Sequence, residues 1–144
     1  MIKAQATKDT LLIAPVAKTN SSTASATFDT LGMDYATIRI ALSSEINTNA
    51  VGPAISLLEA DTSNATNFAT ITADRAAEDI TAAKEVVYHV DTRSRMRYLK
   101  LQINPNTTTN DNVTLAAIVT SSRLGQSPAS TSDMVASGSV VVIV

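Results

Sequence analysis

Histidine, the side chain most often recruited for proton transfer and metal binding near neutral pH, occurs once in this 144-residue chain, at position 89, and cysteine is absent. A lone imidazole supplies neither a nucleophile–base dyad nor a histidine pair for a metal. Without cysteine there are no thiolate ligands, cysteine nucleophiles or disulfides. His89 falls on the outward side of its strand, which predicts an exposed imidazole with no catalytic part. Carboxylates are more plentiful. Glu45, Glu59, Glu78, Asp79, Asp91 and Asp111 could supply the acid pair that glycoside hydrolysis requires. Their spacing brings no two together, and three Tyr and two Phe with no Trp cannot line much of a sugar cleft. Solvated surface groups are expected. Asn110-Asp111-Asn112 is rich in oxygen but lacks the Asp-x-Asp-x-Asp-Gly spacing of a calcium loop, and Asn and Asp favour turns in any case. The expectation is no catalytic residue, no metal, no cofactor and no enzyme.

Two further groups could carry contacts. Arg93, Arg95 and Arg97 alternate, and a strand beginning before them would set all three on one face. Such a stripe suits phosphate or an acidic partner surface. Nucleic acid would call for aromatic stacking as well, and only Tyr98 is close. An exposed or interfacial salt-bridging face is expected. At the other extreme, Val140-Val141-Val142-Ile143-Val144 is uncharged, continuous and β-branched. Open on a sheet edge, it would invite aggregation. It must be a buried strand of its own domain or be covered by another subunit. These eight residues are the candidate interface.

The elements that position them are strands. Ala36, Ile38, Ile40 and Leu42 alternate with Tyr35, Thr37, Arg39 and Ala41, the pattern of a half-buried strand. Leu99, Leu101 and Ile103 repeat it, as do Val86, Tyr88 and Val90. Shorter candidates are Leu11 to Val16, Ala24 to Asp29, Ala54 to Ala60, Phe68 to Thr72 and Ser139 to Val144. Val113 to Thr120 is apolar on both faces, which predicts a central strand or one covered by a neighbouring subunit. Only Ala73 to Glu85 argues for helix, as one or two turns. With 4 Gly and no Asn-Gly or Asp-Gly pair, tight two-residue hairpins are poorly supported. The long Asn/Thr/Ser connections favour a Greek-key or jelly-roll path. The reading is an all-β, antiparallel sandwich of eight or nine strands with at most one short helix. It forms one domain over 1–144, with 1–10 set apart as an N-terminal arm.

A net charge of −2 gives no global field toward nucleic acid or anionic lipid, and no window approaches the apolar length of a membrane span. The first residues lack the charged-then-apolar run of a signal peptide, so synthesis in a cytoplasm is expected.

Four stretches carry a resemblance: Leu31 to Ile40, Ser44 to Pro53, Arg97 to Leu101 and Thr107 to Thr114. They resemble small virion proteins encoded in the head-structure region of tailed bacteriophages, over about Ala24 to Pro128. The resemblance implies a capsid decoration, or cement, protein on the outside of an icosahedral head. Such proteins are commonly compact β folds, often trimeric, bound to the major capsid protein where capsomers meet. It transfers no catalytic residue. The alternatives are a glycan- or receptor-binding sandwich of the virion and, more remotely, a jelly-roll hydrolase.

Overall fold

The computed structural model describes residues 7–19, 22–43, 53–71, 75–76, 84–105, 113–123 and 139–143. They form ten strands: β1 (Thr7–Lys18), β2 (Ala24–Asp29), β3 (Tyr35–Leu42), β4 (Ala54–Ala60), β5 (Ala69–Thr70), β6 (Arg75–Ala76), β7 (Lys84–Asp91), β8 (Tyr98–Asn104), β9 (Val113–Ser122) and β10 (Ser139–Ile143). One 3₁₀ turn, Thr92–Ser94, joins β7 to β8. The first sheet runs β1-β9-β3-β7-β10 and the second β2-β8-β4-β5, with β6 also on β4.

The pairing is nested: β1 with β9, β2 with β8, β3 with β7 and β4 with β5, all antiparallel. A long hairpin rolled so that its successive pairs fall alternately in two facing sheets gives this order, which is a jelly roll. The sandwich expected from the alternating strands is therefore present, and of its two candidate paths the chain takes the jelly roll. β10 stands outside the scheme. It adds to the free side of β7 and runs parallel to it. A parallel neighbour needs a long crossover, and residues 123–138 supply the length.

Alternation places the core. From the first sheet Ala36, Ile38, Ile40, Leu42, Val86, Tyr88, Val90, Leu115, Ala117 and Val119 point inward. Phe28, Ile55, Leu57, Leu99, Leu101 and Ile103 meet them from the second. Each large aliphatic chain so buried contributes about 1.5–3 kcal/mol relative to exposure. β9 lies between β1 and β3, but lateral neighbours cover neither of its faces: Val113, Leu115, Ala117 and Val119 are buried inward, while the outer side alternates between exposed and half-buried residues. That outer side stays open at Ile118.

Some boundaries differ from expectation. β1 extends Leu11 to Val16 in both directions, so Thr7–Thr10 of the supposed arm belong to the sheet, while residues 1–6 lie outside the described residues. Pro15 is tolerated because β1 is an edge strand, where a missing N–H costs no ladder bond. The register also shifts twice around it. The helix expected over Ala73 to Glu85 is not formed where the chain is described. Arg75–Ala76 pairs with β4, and Lys84 and Glu85 open β7. Pairing with strands already in place outweighs alanine's helical preference there. Residues 73–74 and 77–83 lie outside the described residues.

Candidate functional site

The three arginines do not share a face. β8 begins only at Tyr98, and Arg93, Arg95 and Arg97 occupy the turn before it. Each is held by a different acid. The Asp91 carboxylate caps the 3₁₀ turn, accepting from the Arg93 backbone N–H at 3.1 Å, from its Nε at 3.0 Å and from its Nη2 at 2.6 Å. The guanidinium lies 4.9 Å over the Tyr35 ring, because Tyr35 and Asp91 are partners across β3 and β7. The side-chain hydrogen bonds outweigh the opposing desolvation, hold the Asp91 carboxyl down at about 2 and raise Arg93 above its ordinary value.

Arg97 repeats the arrangement. It donates to Asp29 through Nε at 3.0 Å and Nη2 at 2.7 Å and stacks 4.9 Å over Tyr98. The hydrogen bonds lower Asp29 and raise Arg97. Arg95 approaches Glu59, Nη1 to Oε1, at 4.0 Å. Glu59 follows Ile55 and Leu57 on the inward side of β4, opposite Leu99, and accepts the Met96 N–H at 3.0 Å. A carboxylate thus closes this end of the core. Exposed ion pairs contribute little stability. What these pairs do is fix the path of residues 92–97 and neutralise all three cations within the fold.

Around that turn the chain is stitched by backbone. Thr30 N–H and Oγ1 both donate to the Arg97 carbonyl, at 2.9 and 2.8 Å, and Thr92 Oγ1 donates to the Met33 carbonyl at 2.7 Å. Met33 N–H closes a turn on the Thr30 carbonyl at 2.9 Å, with Gly32 at φ +74°, as a type II turn requires at its third residue. The turn holds Leu31 out into solvent, 66% exposed.

Among the described residues, Leu31 is one of three exposed aliphatic residues near β1. Leu11 is 59% exposed and Ile118 47%, and they are register partners on the outer face of the first sheet. Two depressions flank them. One, of about 420 Å³, opens between β1 and β2 and is lined by Leu11, Leu12, Phe28, Leu31 and Met33, with Lys8 and Asp29 also lining it. The other, of about 410 Å³, lies on the outer face beside Ile118, Ala116 and Ala41 and is bordered by the Arg39–Glu85 ion pair. The outer face of the second sheet differs. Its groove of about 290 Å³ is lined by Thr23, Ser25, Ala54, Ser56, Gln102 and Asn104, all uncharged.

His89 does point to the outer side of β7, but it is only 9% exposed, which corrects the expectation of an exposed ring. Its Nδ1 sits 3.1 Å from Thr37 Oγ1, while Nε2 is buried without a partner among the described residues. Burial lowers its pKa. Parity gave its direction and could not report that this part of the outer face is covered. Among the described residues no group of three His, Asp or Glu could hold a metal. Glu45, Glu78, Asp79 and Asn110-Asp111-Asn112 lie outside them. Val140, Val141, Val142 and Ile143 form β10, beside β7 at the sheet edge, and Val144 lies outside the described residues.

Sequence reasoning missed Glu59 as a structural carboxylate, although its parity with Ile55 and Leu57 was a usable signal. The pairing of Asp29 with Arg97, 68 positions apart, left no local trace. No known protein family and no curated protein matches the chain. Among the described residues no helix is long and apolar enough to cross a membrane.

Proposed function

We propose that this chain is a capsid decoration, or cement, protein. It would bind the major capsid protein on the outer surface of an icosahedral phage head as a homo-oligomer, with a trimer favoured because such shells offer three-fold sites. Its work is binding and involves no chemical step, cofactor, nucleic acid or membrane. The observation that carries this reading is the exposed apolar surface formed by Leu11, Ile118 and Leu31, with the charged Lys8, Asp29, Arg39 and Glu85 lining the depressions beside it. A small apolar centre within a polar rim is the anatomy of a protein interface. The virion resemblance of Leu31 to Ile40 and Thr107 to Thr114 points the same way. Many symmetric copies would add modest contacts into a large resistance to the outward force of packed DNA.

Cosedimentation with purified heads tests it. The wild type should pellet with heads, and Leu11→Asp with Leu31→Asp should stay in the supernatant while keeping its circular dichroism. A wild-type protein that binds heads at no stage of maturation overturns the reading.

The neutral hydroxyl- and amide-lined groove on the second sheet favours a second reading, a glycan-binding module. A reproducible glycan-array signal, competed by free sugar and lost in Gln102→Ala, would establish it.

A further inference from the structure

The first sheet ends in two edge strands of unequal protection. β1 carries Pro15, two register shifts and lysines at both Lys8 and Lys18, each a device that blocks pairing with a further strand. β10 has none. Its residues, Ser139 to Ile143, are uncharged and mostly β-branched, and its register on β7 is continuous. The roll pairs its own strands without it, and its neighbour in the sheet is β7. An unprotected, accessory strand of this composition belongs at a boundary between subunits.

We infer that in the assembled protein the seat along β7 is filled by the strand Ser139–Ile143 of a second copy, so that subunits are joined by exchange of β10. This rests on the homo-oligomeric reading above. The strand is seated on its own β7 in the single chain, and the same ladder and register form when it arrives from a neighbour. Exchange of an identical element therefore forfeits no contact.

The connecting chain permits it. β9 ends at Ser122, opposite Thr7 and Tyr35, whereas β10 begins at Ser139, opposite Glu85, toward the other end of the sandwich. Returning along β7 from the level of Asp91 to that of Glu85 takes about 20 Å, and crossing three strand spacings about 14 Å, so a direct path is about 24 Å. Residues 123–138 can extend to about 50 Å. The surplus, about 25 Å, is more than twice the spacing of two packed sheets and reaches an adjoining subunit. A closed ring of such exchanges leaves every β7 filled and no β10 spare.

Because the chain has no cysteine, the test is clean. Val87 and Val141 are register partners. The full-length double variant Val87→Cys/Val141→Cys, treated with a short bis-maleimide, should give covalent dimers and trimers on denaturing gels. Chains carrying Val87→Cys alone and Val141→Cys alone, refolded together, should give a mixed adduct. Sedimentation velocity of the wild type and of Val141→Lys runs alongside, with the lysine weakening assembly at least about tenfold.

Cross-links confined within single chains overturn exchange, and leave the oligomer standing if the wild type still sediments as one. A monomeric wild type overturns both. If the double variant fails to fold, Val141→Lys decides: an undiminished oligomer overturns exchange. Head cosedimentation remains a separate test of the capsid reading.

Discussion

β1 and β10 lie at opposite margins of one sheet and solve the same physical problem differently. Among the described residues, each has a strand partner on one side only. β1 spends proline, bulges and lysines to stay unpaired, and its twelve residues are fastened to β9 from Thr7 to Lys18. β10 is five residues long, parallel to its neighbour, and free of charge. The contrast teaches that an edge can be finished by local chemistry or left for a partner to finish. Composition alone does not separate the two, since Leu11 to Val16 is nearly as apolar as the C-terminal run.

The strands between these margins set the scale against which each edge is measured. Ile38, fully buried on β3, is the largest lever. Ile38→Ala should cost about 2–5 kcal/mol, read as a lower denaturant midpoint with an unchanged slope. Val141→Lys should barely move that midpoint while dispersing the oligomer. If the two variants destabilise the fold equally, β10 is an integral strand and the contrast between the margins fails.

Gly32 gives a smaller effect in the turn that presents Leu31. Nothing lies within 4 Å of a Cβ built there, but φ is +74°, so Gly32→Ala should cost about 1 kcal/mol through backbone strain alone. Gly32→Asn should cost less, because asparagine tolerates that region.

His89 sharpens the β10 side through pH. Burial lowers its folded pKa, so the unfolded chain binds the proton more readily. The stability linked to His89 is therefore complete above the unfolded value of about 6.5 and is lost as pH falls below it toward the folded value. Thermal melts across that window should show the decline, and His89→Gln should flatten it. An unchanged profile in the variant would place the acid sensitivity elsewhere.

The smallest expected effect is at Asp91. Its carboxyl, held down by Arg93 at about 2, stays charged to strongly acidic pH. Asp91→Asn should leave the midpoint nearly unmoved at neutral pH, because the pair is open to solvent and screened by salt. Faster amide exchange at Arg93, which loses a charged acceptor, should be its signature.

Sequence alone determined the strands and their inward faces. Alternation in Tyr35 to Leu42, Lys84 to Asp91 and Tyr98 to Asn104 records which side each residue turns from water, and side-chain parity is a local property of a pleated chain. Ala24 to Asp29 was legible to the residue for the same reason, and Ala54 to Ala60 through the turn residues that bound it. The scarcity of tight-turn pairs, with the long connections, favoured a Greek-key or jelly-roll path over a tight meander. Only the tertiary structure decided the nested order of the strands, which depends on partners far apart in the chain. It alone matched Arg93, Arg95 and Arg97 to Asp91, Glu59 and Asp29. It also buried His89 despite an outward direction, since burial depends on what lies over a face as well as on which way the residue points. For the C-terminal run, five apolar residues in a row carry no parity signal, so its neighbour and its direction emerged only with the fold.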